Sequence, residues 1–160
     1  MGMRVLLKLV LDCTPDAAWQ AIRSPSVFTA VSKPFTTFTS LEPNGFPELW
    51  PEGDHPAAAK AFGIAPIGTQ VIRIAYDQDG DVRTVHDTGF GASGALANVT
   101  RWNHTMAVAP NGDGRTLYRD QLIFEAGAAT PLLWPMYWAF WQWRALTMKR
   151  LARDWVSNYS

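Results

Sequence analysis

"TPLLWPMYWAFWQWRALTMKRLARDW", residues 130–155, decides how this chain of 160 residues is to be read. Steps of three and four place Trp134, Trp138, Trp141, Ala145, Met148, Ala152 and Trp155 along one stripe. A neighbouring stripe carries Tyr137, Phe140, Arg144 and Leu151. The spacing predicts a helix over 131–156, strongest from 136 to 155. Pro135 cannot lie inside a regular helix without a kink, so the helix begins or bends there. Its first half is apolar nearly all round, and its second half is charged on one side. A helix of about twenty residues is roughly 30 Å long, enough to cross a small domain. No 18-residue apolar run occurs, so no membrane span is expected. The rings of Trp134, Trp138, Trp141 and Trp143 cannot all be hidden in one direction. Some must face a ligand, a partner chain or solvent, and an exposed apolar patch would suit a homodimer.

Upstream of the helix the pattern changes to alternation. In "RTLYRDQLIFE", Thr116, Tyr118, Asp120, Leu122 and Phe124 share one strand face, with Arg119, Gln121 and Glu125 opposite. "ALANVTRWNHTMAVAP" (95–110) puts Asn98, Thr100, Trp102, His104, Met106 and Val108 together. "VRTVHDTGF" (82–90) offers Val82, Thr84, His86, Thr88 and Phe90 as a face, and "TQVIRIAY" (69–76) offers Gln70, Ile72, Ile74 and Tyr76. "YDQDGD" and "PNGDG" between them have hairpin chemistry, so an antiparallel meander is expected. Residues 3–12 read as a first strand. Thr14 and Pro15, then Ser24 and Pro25, start two short helices in succession. "FTTFTSLE" reads as a second strand, which makes about six in all. Residues 42–67 are dense in proline and glycine and read as a long loop or lid, with a two-turn helix in "HPAAAKAFG".

Composition narrows the function. Fourteen basic and fourteen acidic residues balance, without the basic excess of a nucleic-acid binder. Cys13 is the only cysteine, which excludes an internal disulfide and a thiolate metal cluster. Three histidines without tight spacing, His55 lying in the long segment, give no metal site, and no cofactor is expected. Lys8 interrupts the apolar N-terminal run and no cleavage signal follows it, so a cytoplasmic location is expected. Eight tryptophans and eight phenylalanines are more than an ordinary core of this size needs, so they suggest something larger to line.

"FPELWPEG", "FGIAPIGTQVI", "RWNHTM", "RTLYRDQLIFEAG" and "FWQWR", in this order of elements, resemble a subgroup of the superfamily that holds START lipid-transfer domains, polyketide cyclases and the birch-pollen-allergen class. The resemblance covers nearly the whole chain. It implies a single α+β domain over 1–160 with the helix-grip fold: a curved antiparallel sheet wrapped around the long C-terminal helix, with a cavity between them. Simple members of that superfamily keep a tighter connection where this chain has 42–67. The fold hosts binders, transporters and enzymes alike, so it does not choose a chemistry.

Within that frame the inward sheet face mixes large apolar groups with His86, His104, Tyr118 and Asp120. A few convergent polar groups in an apolar cavity are the usual anatomy of a small-molecule site. The candidate lining is Trp102, His104, His86, Tyr118, Asp120 and Phe124 from the sheet, and Tyr137, Phe140, Trp141, Arg144 and Met148 from the helix. Trp50 and Phe62, in the long segment, are either plugs for the sheet end or parts of a lid. Trp102 and His104 suit a satisfied core as well as a cavity wall. Arg144 is either a snorkelling side chain or an anchor for a carboxylate or carbonyl. His86, His104 and Asp120 are candidate acid–base groups for a cyclase or dehydratase, unless Asp120 pairs with Arg101 or Arg119 at a rim. The partner expected first is a hydrophobic small molecule, lipid-like or planar; a protein-interaction role for the helix is the alternative.

Overall fold

A computed structural model describes residues 2–159, with side chains from 2 to 155. The chain runs β1 (Met3–Leu11), α1 (Pro15–Ile22), α2 (Pro25–Ser32), β2 (Thr36–Ser40), β3 (Gly53–Ala61), β4 (Ala65–Asp79), β5 (Val82–Asp87) and β6 (Phe90–Gly91). A 3-10 turn (Gly94–Asn98), β7 (Arg101–Pro110), β8 (Thr116–Glu125) and α3 (Thr130–Tyr159) complete it. The eight antiparallel strands form one sheet in the order β1-β8-β7-β5-β4-β3-β2, with β6 continuing beside β4. First and last strands are therefore neighbours, and α3 crosses the concave face.

Both short helices start where their capping residues predict. Thr14 Oγ1 accepts from the Ala17 amide at 3.2 Å, and Pro15 and Pro25 occupy first turns, where a missing N–H costs nothing. α3 begins at Thr130 and holds Pro135 within its opening turns. The Thr130 hydroxyl stabilises that start by accepting from the Ala126 amide at 2.8 Å.

The long segment differs from expectation. Only its first part is a loop; the two-turn helix expected over 55–63 is the outer half of a hairpin, β3. Helix propensity among alanines is a weak preference, and a hydrogen-bonded place between two strands overrides it. Ala57 and Ala59 are buried there, on the inward face of the strand. Phe62 and Gly63, both at positive φ, make the turn into β4. β3 and β6 account for eight strands against about six. His55, expected in a long loop or lid, is buried within β3.

Antiparallel partners share a face, so the concave surface can be read in rows. Val5, Leu122, His104, Asp87 and Ile74 form one; Leu7, Asp120, Met106, Val85 and Tyr76 form the next. This corrects the face expected for β5. Gly80 and Asp81 are a two-residue turn that pairs Asp79 with Val82, and Ile74 with Asp87. Asp87 and Val85 thus point inward. His86 belongs to the outer row with Thr105, Gln121 and Leu6, and Leu6 is 55% exposed. Asn98 and Thr100 also leave the expected face, because the chain turns before β7 begins.

Candidate functional site

A carboxylate with no access to solvent lies at the centre of the concave face. β8 alternates strictly, so Asp120 points inward between Tyr118 and Leu122. Four donors converge on it. Oδ1 accepts from His104 Nε2 at 2.7 Å and from Trp141 Nε1 at 2.9 Å. Oδ2 accepts from the Tyr118 hydroxyl at 2.5 Å and from Arg144 Nη2 at 3.2 Å. Burial alone would raise the carboxyl's pKa. The charges of His104 and Arg144 and the donated hydrogen bonds outweigh it and hold Asp120 well below the usual carboxylate range. Burial and the adjacent carboxylate push the Tyr118 phenol well above its ordinary value. Burial opposes the Arg144 charge too, but Asp120 more than compensates. Since Asp120 is ionised, the His104 nitrogen facing it carries the proton.

Arg144 lies over the Trp141 ring, 5.1 Å from its centroid, and Nη2 approaches Met106 Sδ at 3.7 Å. It does not snorkel; it is 5% exposed. Its Nε–H is buried with no acceptor among the described residues.

Asp87, across the ladder from His104, contrasts with Asp120. Its Oδ1 accepts from the amides of Arg73 and Gly89, both at 3.0 Å, which bridges the break between β5 and β6. A Cβ at Gly89 would stand 1.8 Å from the Val71 carbonyl oxygen, so only glycine permits this approach. Burial pushes the Asp87 carboxyl above its ordinary value, and His104, the two amides and Trp102 only partly oppose it.

Asp87, His104 and Arg144 form the polar wall of a cavity whose remaining lining comes from α1, α2, β4, Trp50, Met106 and Met148. Its volume is about 40 Å³. Trp50 covers it from the 41–52 loop, packed on Phe28, Phe46 and His55. The loop is tied down by Trp50 N–H to the Arg23 carbonyl at 2.8 Å, by the Tyr76 hydroxyl donating to the Trp50 carbonyl, and by His55. His55 meets Glu42 Oε1 at 3.0 Å through Nδ1 and the Pro51 carbonyl at 2.7 Å through Nε2.

Of the residues expected to line a cavity, Trp50, His104, Arg144 and Met148 do so. Trp102, Tyr137, Phe140 and Trp141 instead pack edge to face on one another, and Phe124 packs tilted on Tyr137 with centroids 4.6 Å apart. The expected hollow beneath these rings is filled by the rings themselves. Tyr118 and Asp120 lie behind the wall. His86, Thr105 Oγ1 at 3.4 Å, is on the outer face and cannot join His104 and Asp120 in one acid–base group. Phe62 is 63% exposed at a hairpin tip, and Trp138 leaves the buried helix stripe for the surface. Asp120 pairs with neither Arg101 nor Arg119. Asp87 and the α2 residues were missed; the two-residue turn after β4 was the signal for Asp87. Among the described residues, no three His, Cys, Asp or Glu side chains are grouped as a metal site.

A structural-genomics protein of Chromobacterium violaceum is 17% identical, with a TM-score of 0.65 over 93% of this chain and 96% of that one. This chain has the helix-grip fold. An aromatase/cyclase from Streptomyces sp. R1128 shares it, with a TM-score of 0.63 and 12% identity over 99% and 95% of the two chains. So does norcoclaurine synthase from Thalictrum flavum, with a TM-score of 0.64 and 11% identity over 96% and 88%. No family model and no curated protein matches. At these identities the shared helix-grip fold is the whole likeness. No helix among the described residues is long and apolar enough to cross a membrane.

Proposed function

We propose that this protein binds a small, chiefly apolar molecule whose oxygen-bearing end meets Arg144, His104 and Asp87. The observation that carries the reading is Arg144: a charged group on the wall of an apolar cavity, with a buried N–H lacking an acceptor among the described residues. Such a donor is costly to leave unmet, and a ligand oxygen would satisfy it. Structural neighbours named as an aromatase/cyclase and a norcoclaurine synthase support a ligand site on this fold. A volume of about 40 Å³ holds a water or two, whereas small-molecule pockets run to several hundred. Binding therefore requires the 41–52 loop to withdraw Trp50.

Native mass spectrometry of gently purified protein, with titration of the apolar anionic dye anilinonaphthalenesulfonate, tests this. A retained small mass, or saturable dye binding at one site, is expected. Val27→Trp, which fills the cavity, should abolish either. An empty chain that takes up no dye, or dye binding that Val27→Trp leaves untouched, overturns the reading.

Acid–base catalysis by Asp87 and His104 is the second reading. It is favoured by the raised Asp87 carboxyl beside an imidazole in the same wall. Asp87→Asn would then still retain the molecule that mass spectrometry finds, but would no longer convert it.

A further inference from the structure

The outward side of α3 is apolar where a surface helix is ordinarily polar. Leu132, Met136, Ala139, Trp143 and Leu146 follow one another at steps of three and four, and all are exposed, Leu132 to 82%. This stripe does not end at the helix. Phe35, exposed itself, packs edge to face on Trp143 with centroids 5.7 Å apart and on Phe62 at 6.0 Å. Phe62 and the 82% exposed Ile64 form the β3–β4 tip. Helix, linker and hairpin tip make one continuous apolar surface, and contiguous patches of this kind mark docking sites.

Charge selects the occupant. The three segments that build the surface, residues 17–41, 55–76 and 126–153, contain none of the chain's fourteen acidic residues. They do contain Lys33, Lys60, Lys149 and Arg150, all exposed. A symmetric contact with a second copy would bring these cations together with no carboxylate from those segments to pair them. An anionic bilayer supplies the missing charge, and exposed leucine, phenylalanine and tryptophan beside lysine and arginine suit its interface.

We infer that this face docks the protein peripherally on an anionic lipid surface. It lies flat on the interface rather than crossing it. This stands apart from the reading of the cavity, and either can fail alone.

Sedimentation with vesicles of phosphatidylcholine, with and without about 30 mol% phosphatidylserine, tests it directly. The protein should pellet with the mixed vesicles and far less with phosphatidylcholine alone. Leu132→Gln/Leu146→Gln, both at exposed positions, should weaken partition by about ten-fold or more. Lys149→Glu/Arg150→Glu should abolish the preference for phosphatidylserine. Thermal melts verify that each variant is folded. Failure of the wild-type protein to pellet overturns the inference, as does unchanged binding by the leucine variant. So does a wild-type dimer on sizing chromatography that Leu146→Gln converts to monomer without any vesicle binding, which would make the face a self-association surface.

Discussion

Where the amino-terminal half of α3 crosses the sheet, rings close the space; where the carboxyl-terminal half crosses it, charged groups and a small cavity take their place. On the first side Trp141, Phe124, Leu122 and Val5 form a dry cluster with Tyr137 and Trp102 against them. On the second, Met148, Ala152 and Trp155 face α1, α2 and Trp50, and the cavity lies among them. Asp120 joins the two sides. The contrast is sharpest between the two inward carboxylates. Asp120 meets four side-chain donors, the Arg144 guanidinium among them, and is held low; Asp87 meets two amides at one oxygen, with Trp102 and His104 also opposing the burial, and is pushed up. Burial is nearly the same for both, so the Arg144 cation and the direct His104 and Tyr118 hydrogen bonds that Asp120 alone receives decide the sign.

The largest expected effect comes from removing the centre of the satisfied cluster. Asp120→Ala should cost about 3–5 kcal/mol in chemical denaturation, because Arg144 keeps a buried charge without its partner. The same carboxylate governs acid stability. Its folded pKa is depressed, so its stabilisation is complete above the unfolded value and is lost as pH falls through the lower folded one. The variant should lack that acid loss. A cost near that of an ordinary surface change would mean that the four donors do not act through Asp120.

Trp141→Phe keeps the ring stacking and removes one N–H to an ionised acceptor, for about 1.5–3 kcal/mol. Combined with Asp120→Ala, it should show coupling rather than additivity. Strict additivity would separate the rings from the polar cluster. On the cavity side, His55→Ala should loosen the 41–52 loop, with cleavage by added protease between 42 and 52 several-fold faster and about 1 kcal/mol of stability lost. Unchanged cleavage would show that Trp50 and Tyr76 hold the loop without it.

Asp87→Asn should change stability by only about 1 kcal/mol, and in the opposite sense. A raised folded pKa makes the protein less stable as pH climbs from the unfolded value through the folded one. The variant should flatten that decline and be the more stable form at neutral pH. A destabilised variant would give the bracket between Arg73 and Gly89 more weight than the burial of charge. The smallest effect belongs to His86→Ala on the outer face, within about 0.5 kcal/mol and without influence on dye binding.

Much of this was legible. β8 alternates without exception, so Tyr118, Asp120, Leu122 and Phe124 could be placed inward from residue order alone. Thr14 and Pro15 announced α1, and the stripe from Trp141 to Trp155 announced the buried face of α3. β5 was misread because both of its faces mix polar and apolar groups, leaving periodicity silent; the turn at Gly80–Asp81 carried the information, and it sets register rather than hydropathy. β3 was misread because alanine and lysine favour a helix in isolation, while a strand site between β2 and β4 exists only once the sheet does. The candidate site was legible in part for the same reason: His104, Arg144 and Met148 sit on strongly patterned elements, and Asp87 does not.

Residue order by itself determined the α+β class, the antiparallel meander, the long closing helix and the inward direction of Asp120, since these follow from local periodicity and turn chemistry. Only the tertiary structure decided that the aromatic rings interlock, that Asp87 rather than His86 faces His104, and that the outer stripe of α3 joins Phe35 and Phe62. Each depends on which surfaces meet across distant parts of the chain, and neither spacing nor composition encodes such a meeting before the sheet has curved around the helix.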